Sequence, residues 1–88
     1  METTSTKHPL AVVSEIFRVL TENRIDFFNP EVYIFECSAK IGTEIVRWDM
    51  EVCQVQSLGL TGVALKRRAG KLWSYKALVE NLISRMQL

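Results

Sequence analysis

Only one histidine, two cysteines and four glycines occur in the 88 residues, and each shortage removes a class of function. The lone histidine, His8, stands beside Pro9 and far in sequence from any partner that could activate a nucleophile, so it reads as a surface residue at a helix start. Cys37 and Cys53 lack the close spacing and histidine partners of a zinc site, and both read as reduced thiols packed within apolar strand-like runs. Gly59 and Gly62 come without the lysine and the strand-loop-helix setting of a phosphate-binding loop. No apolar run approaches the roughly 20 residues of a membrane span, and METTSTKHPL has no apolar signal core, so an intracellular protein is expected. No catalytic residue, metal or cofactor is expected in this chain.

Acidic residues are also scarce, but only in the second half. Residues 1–51 carry five cations against nine carboxylates, a net −4, whereas residues 52–88 carry six cations against Glu80 alone, a net +5. Such a division points to an anionic partner for the C-terminal half, or to attraction between the halves. With 48% hydrophobic residues the chain is long enough for one small core, so residues 1–88 are read as a single domain.

Periodicity supplies the elements. Pro9 suits a first helical turn, and Val12, Val13, Ile16, Val19 and Leu20 then repeat at helical spacing, predicting a helix that ends near Asn23. After Gly70, an apolar stripe of Leu72, Tyr75, Leu78, Val79, Leu82, Ile83 and Met86 predicts a second helix running almost to Leu88. Between them Val32 to Phe35 suggests a strand, the Gly42-Thr43 turn follows, and a longer strand runs from about Glu44 to Val55. In that strand Val46, Trp48, Met50 and Val52 share one face, while Arg47, Asp49, Glu51 and Cys53 share a solvated one. A further strand, Val63 to Arg68, puts Val63, Leu65 and Arg67 on one side and Ala64, Lys66 and Arg68 on the other. Short turns make consecutive strands antiparallel, giving an α+β domain with both helices on one sheet face.

Lys66, Arg67, Arg68, Lys71 and Lys76 place five cations within eleven residues with no acid among them. At about 1 kcal/mol per cation near an anionic bilayer, three to five of them would supply about 3 to 5 kcal/mol, roughly millimolar affinity, sufficient as one of two membrane signals. Because a strand alternates, the triplet cannot all face one way, which raises the weight of Lys71 and Lys76. Trp48 is in phase with Met50 and Val52 and is assigned to the core. Trp73, between Lys71 and Tyr75, either packs on the sheet edge or sits where it could meet a lipid headgroup or a base.

The order of elements and several segments resemble the kinase-associated-1 domain of microtubule-affinity-regulating kinases and of maternal embryonic leucine zipper kinases. The likeness runs through Met1 to Ser5, Arg18-Val19-Leu20, Trp48 to Cys53, Leu58 to Val63, Lys66-Arg67 and Gly70, with Tyr75, Lys76, Leu78, Val79 and Glu80 resembling the zipper kinase's last helix. The segment Trp48-Asp49-Met50-Glu51-Val52-Cys53 is its most specific part.

That resemblance implies a four-stranded antiparallel sheet with an N-terminal and a C-terminal helix packed on one face. It further implies binding to acidic phospholipids such as phosphatidylserine, and restraint of the kinase domain of the same polypeptide. Family lipid-binding cations align with Lys66 and Arg67, but the first-helix positions that align with family arginines are Ser14 and Phe17, leaving Arg18 nearby. Arg68, Lys71 and Lys76 are the available compensation. The expected protein is thus a monomeric, non-catalytic C-terminal domain of a cytoplasmic Ser/Thr protein kinase, peripheral at the inner face of the plasma membrane. The alternative is an autoinhibitory module that docks the same patch on an acidic protein surface without significant lipid binding. Nucleic acid is not expected as a partner, since net charge is near neutral and no recognition motif occurs.

Overall fold

The computed structural model describes residues 2–88, so Met1 lies outside the described residues. Its elements are, in chain order, strand β1 (Glu2–Ser5), helix α1 (Pro9–Glu22), strands β2 (Asp26–Glu31), β3 (Ile34–Ile41) and β4 (Glu44–Val55), a 3-10 turn (Gln56–Leu58), strand β5 (Leu60–Ala69) and helix α2 (Leu72–Ser84). The sheet has five antiparallel strands in the order β1-β5-β4-β3-β2, one more than the family resemblance implies. The α+β class holds, and both helices lie against the central strand β4.

The additional edge is β1, a short polar segment without the β-branched and aromatic density that marks a strand in sequence. It pairs Thr3 with Val63 and Ser5 with Thr61. At the opposite edge β2 contains Pro30, which a ladder tolerates where no neighbour needs its missing N–H. The register shifts between Phe28 and Glu31, and the Asn29 side-chain amide donates to the carbonyls of Glu31 and Ile34 at 2.6 and 2.7 Å. Val32 and Tyr33, expected inside a strand, instead form the turn between β2 and β3.

Helix α1 starts as its sequence requires: His8 Nδ1 accepts from the Leu10 amide at 3.1 Å, and Pro9 occupies the first turn. It closes with Arg24 in the left-handed conformation at φ 55, its amide donating to Thr21 and that of Ile25 to Leu20. These are the two bonds of a Schellman ending, with arginine where glycine is usual. Helix α2 stops at Ser84 rather than continuing to Leu88, because the last backbone groups find partners elsewhere. The Ser5 hydroxyl donates to the Leu88 carbonyl at 2.7 Å, the Lys7 ammonium to that of Gln87 at 2.5 Å, and the Gln87 amide to Glu15 at 2.7 Å. Met86 is thereby turned into the core.

The core forms between the helices and one sheet face, from Val12, Ile16, Val19 and Leu20 through Phe35, Val46, Trp48 and Met50 to Val79 and Leu82. Trp48 is 0% exposed, as its phase predicts. Phe17 meets Phe27 and Phe35 edge to face at 5.3 and 5.2 Å, so the residue aligned with a family arginine fastens α1 to β2 and β3. Between β5 and α2, Gly70 has φ 96, and a Cβ there would stand 3.0 Å from the Val46 Cα and Cγ2. No other residue fits that corner without displacing β4.

Candidate functional site

The three consecutive cations of β5 separate onto two surfaces. Lys66 lies opposite Asp49 in register and Arg67 opposite Trp48, so successive side chains take opposite faces of the sheet. A register shift next to Trp48 and Arg47 gives β5 one extra residue, Arg68, between Arg67 and Ala69. Arg68 then reaches Asp49 on the uncovered face, with Nε and Nη2 at 2.6 and 2.5 Å from Oδ2. Two of the five clustered cations therefore sit among carboxylates, and one is ion-paired. Asp49, read from its alternation as an ordinary solvated residue, is the group that offsets Arg68.

Arg67 turns toward the helices, and its Nη1 donates to the Gly70 carbonyl at 2.8 Å. Lys71 follows at the N-cap of α2, and Lys76 lies one turn further, its Nζ 5.8 Å from the Trp73 ring centroid. The structure thus brings Arg67, Lys71 and Lys76 together around the start of α2. Trp73 is 81% exposed, which excludes its packing on the sheet edge, and Leu72 beside it is about half exposed.

Lysine cannot cap a helix, so the cap comes from outside. Glu44 accepts from the Lys71 amide and from the Ser74 hydroxyl, both at 2.6 Å. These bonds hold its carboxyl below the ordinary value, the hydroxyl contributing most and the amide next. Both Glu44 oxygens are thereby engaged at the positive end of the α2 dipole, where a bound phosphate would otherwise be favoured. The surrounding cations remain for a partner beyond the helix end. The absence of Ser, Thr, Asp or Asn at position 71 is the sequence signal that a remote cap was needed.

Arg18 does not join this group. It pairs with Glu15 and Glu22 at 2.8 and 2.9 Å and donates to the Arg85 carbonyl at 3.0 Å, at the far end of α2. A helix of 13 residues is about 20 Å long. Arg18 ties the helices to each other, and its bond to Glu15, followed by the Gln87 amide, lowers the Glu15 carboxyl to about 2. Cys53 is exposed on the uncovered sheet face, contrary to its reading as packed, whereas Cys37 is buried and its thiol is pushed up to about 12 chiefly by desolvation. Among the described residues no cluster of His, Cys, Asp and Glu is placed to hold a metal ion, and no helix is long and apolar enough to cross a membrane.

Comparison with known proteins gives this geometry a family. The profile described as "Kinase associated domain 1" matches residues 44–88, just over half of the chain. The "Probable serine/threonine-protein kinase MARK-C" of Dictyostelium discoideum is 33% identical over 86 residues, covering 98% of this chain and 11% of that protein. "Maternal embryonic leucine zipper kinase" of Xenopus laevis is 30% identical over 84 residues, covering 93% of this chain and 13% of that protein. The chain therefore spans only about a tenth of the length of these relatives. Residues 44–88 hold the Trp48 strand, the Glu44 cap and every clustered cation, and on that match the chain belongs to the kinase associated domain 1 family.

Proposed function

We propose that this domain is a non-catalytic regulatory part of a Ser/Thr protein kinase, and that it recognises anionic phospholipid surfaces with the corner formed by the end of β5 and the start of α2. The observation that carries the reading is the convergence of Arg67, Lys71 and Lys76 around an exposed helix start whose own dipole is already matched by Glu44. Three such cations at about 1 kcal/mol each give about 3 kcal/mol, a dissociation constant of roughly 6 mM. That is a contributing signal, suited to a long polypeptide with a second membrane contact. The site is peripheral, and a cytoplasmic protein at the inner face of the plasma membrane fits it. Sedimentation with vesicles containing or lacking phosphatidylserine tests the reading. Binding should require the anionic lipid and weaken steeply with salt, and equal binding to neutral vesicles would refute it.

Restraint of the parent kinase domain is the second element of the proposal, and a different surface favours it. The uncovered sheet face interleaves Glu36, Arg47, Asp49, Glu51, Lys66 and Arg68, both signs side by side. Its carboxylates would be repelled by an anionic bilayer, whereas a protein of matching charge pattern could accept them. Adding the domain to the separately produced parent kinase domain should lower its activity. An unchanged rate at saturating domain would remove this element and leave the lipid reading standing.

A further inference from the structure

We infer that Leu72 and Trp73 enter the bilayer interface, so that the corner anchors by apolar insertion as well as by charge; this rests on the lipid reading above. Trp73, at 81%, is more exposed than any other large hydrophobic residue described, and it stands in the first turn of a helix whose other aromatic, Tyr75, is buried. A tryptophan offers a large apolar body with one N–H, the combination that settles at a membrane interface. Leu72 is 47% exposed beside it. Two apolar side chains thus stand at the start of α2, beside the strand end that carries Arg67.

The surrounding charges select the occupant. Arg67, Lys71 and Lys76 are cationic, Lys76 lies over the indole itself, and the nearby carboxylate of Glu44 has both oxygens bonded. An apolar tip within a cationic rim matches an anionic bilayer, with ammonium groups at the phosphates and the indole just beneath them. Lysine side chains are long enough to stay at headgroup level while the helix start sinks.

The chain carries its own probe. Of its two tryptophans Trp48 is wholly buried, so a change in emission on adding vesicles reports Trp73. The experiment mixes the chain with vesicles of equimolar phosphatidylserine and phosphatidylcholine, with or without bromine on the acyl chains. Sedimentation is measured in parallel for the unaltered chain, Trp73→Ala and Trp73→Phe. The expected result is a blue shift, quenching by the brominated lipid, and roughly tenfold weaker sedimentation for Trp73→Ala from the lost burial of a large apolar side chain. Trp73→Phe should retain most of the sedimentation and lose the emission change. Thermal transitions should coincide for all three proteins, since the side chain is 81% exposed. Sedimentation with no shift, no quenching and no effect of Trp73→Ala would overturn insertion while leaving surface attraction intact. Failure to sediment with anionic vesicles would overturn both. Unaltered sedimentation of Trp73→Ala with loss of its effect on the parent kinase domain would place Trp73 in a protein interface and overturn insertion.

Discussion

Reversing Arg67 and Lys71 together, and comparing that protein with one in which Lys66 and Arg68 are changed, separates two surfaces that are adjacent in sequence. Each reversal to glutamate at the corner removes an attraction of about 1 kcal/mol and adds a comparable repulsion, about 4 kcal/mol for the pair, or nearly a thousandfold in vesicle affinity at low salt. Stability should move little. Arg67→Glu gives up one exposed bond to the Gly70 carbonyl, and in Lys71→Glu the favourable helix dipole offsets the lost attraction and new repulsion with Glu44 across solvent. Lys66→Glu with Arg68→Gln changes the other face, where Asp49 already offsets one cation. Screening over about 8 to 10 Å should confine its effect on lipid binding to well below that of the corner pair. Sedimentation in a salt series, with a thermal scan on each protein, makes the comparison. If Lys66→Glu with Arg68→Gln weakened vesicle binding as much as the corner pair, the division of the basic cluster between faces would not govern recognition.

Trp48→Ala should cost about 3 to 5 kcal/mol, a large share of the stability of so small a domain, and calorimetry should show the cooperative transition lost or lowered by many degrees. Arg24→Gly should stabilise by about 0.5 kcal/mol, or roughly 3 °C in Tm, because the left-handed strain relieved exceeds the added chain entropy. The Glu15 carboxyl is lowered from its ordinary 4.5 to about 2, so its contribution is full above 4.5 and disappears as pH falls from 4.5 toward 2. Glu15→Gln should flatten the pH dependence of Tm within that window, and an unchanged acid profile would show that its bond to Arg18 is not maintained in solution.

The elements with a single dominant periodicity are legible in the sequence. Trp48, Met50 and Val52 are inward because β4 alternates cleanly, and α1 ends at Glu22 with Asn23 as its cap, near the end that its stripe predicts. Strands β1 and β2 are not, since Glu2 to Ser5 is polar and β2 contains asparagine and proline; tertiary pairing, not intrinsic preference, makes them strands. Residues 85–88 look helical in isolation, yet Ser5, Lys7 and Glu15 take their backbone groups from more than 70 positions away. For the candidate site, alternation foretold that the triplet would divide. The partners that give each face its character, Asp49 for Arg68 and Glu44 for the α2 amide, depend on strand register and on one extra residue in β5, which local spacing does not encode.

Gly70 locks the last turn of chain before α2 against Val46, and this fixes more than a helix direction. An elbow packed that closely on the strand gives the tip and the sheet a defined mutual orientation, so the corner is arranged before the tip engages. The face bearing Lys66, Arg68 and Asp49 lies on the other side of the sheet from the helix that carries the tip. Two ligands could then be held together, the membrane by one surface and a protein by the other, and each would be felt by its partner only through the polypeptide that joins them. Release from the kinase domain on reaching the membrane would in that case require tension or competition along the parent chain.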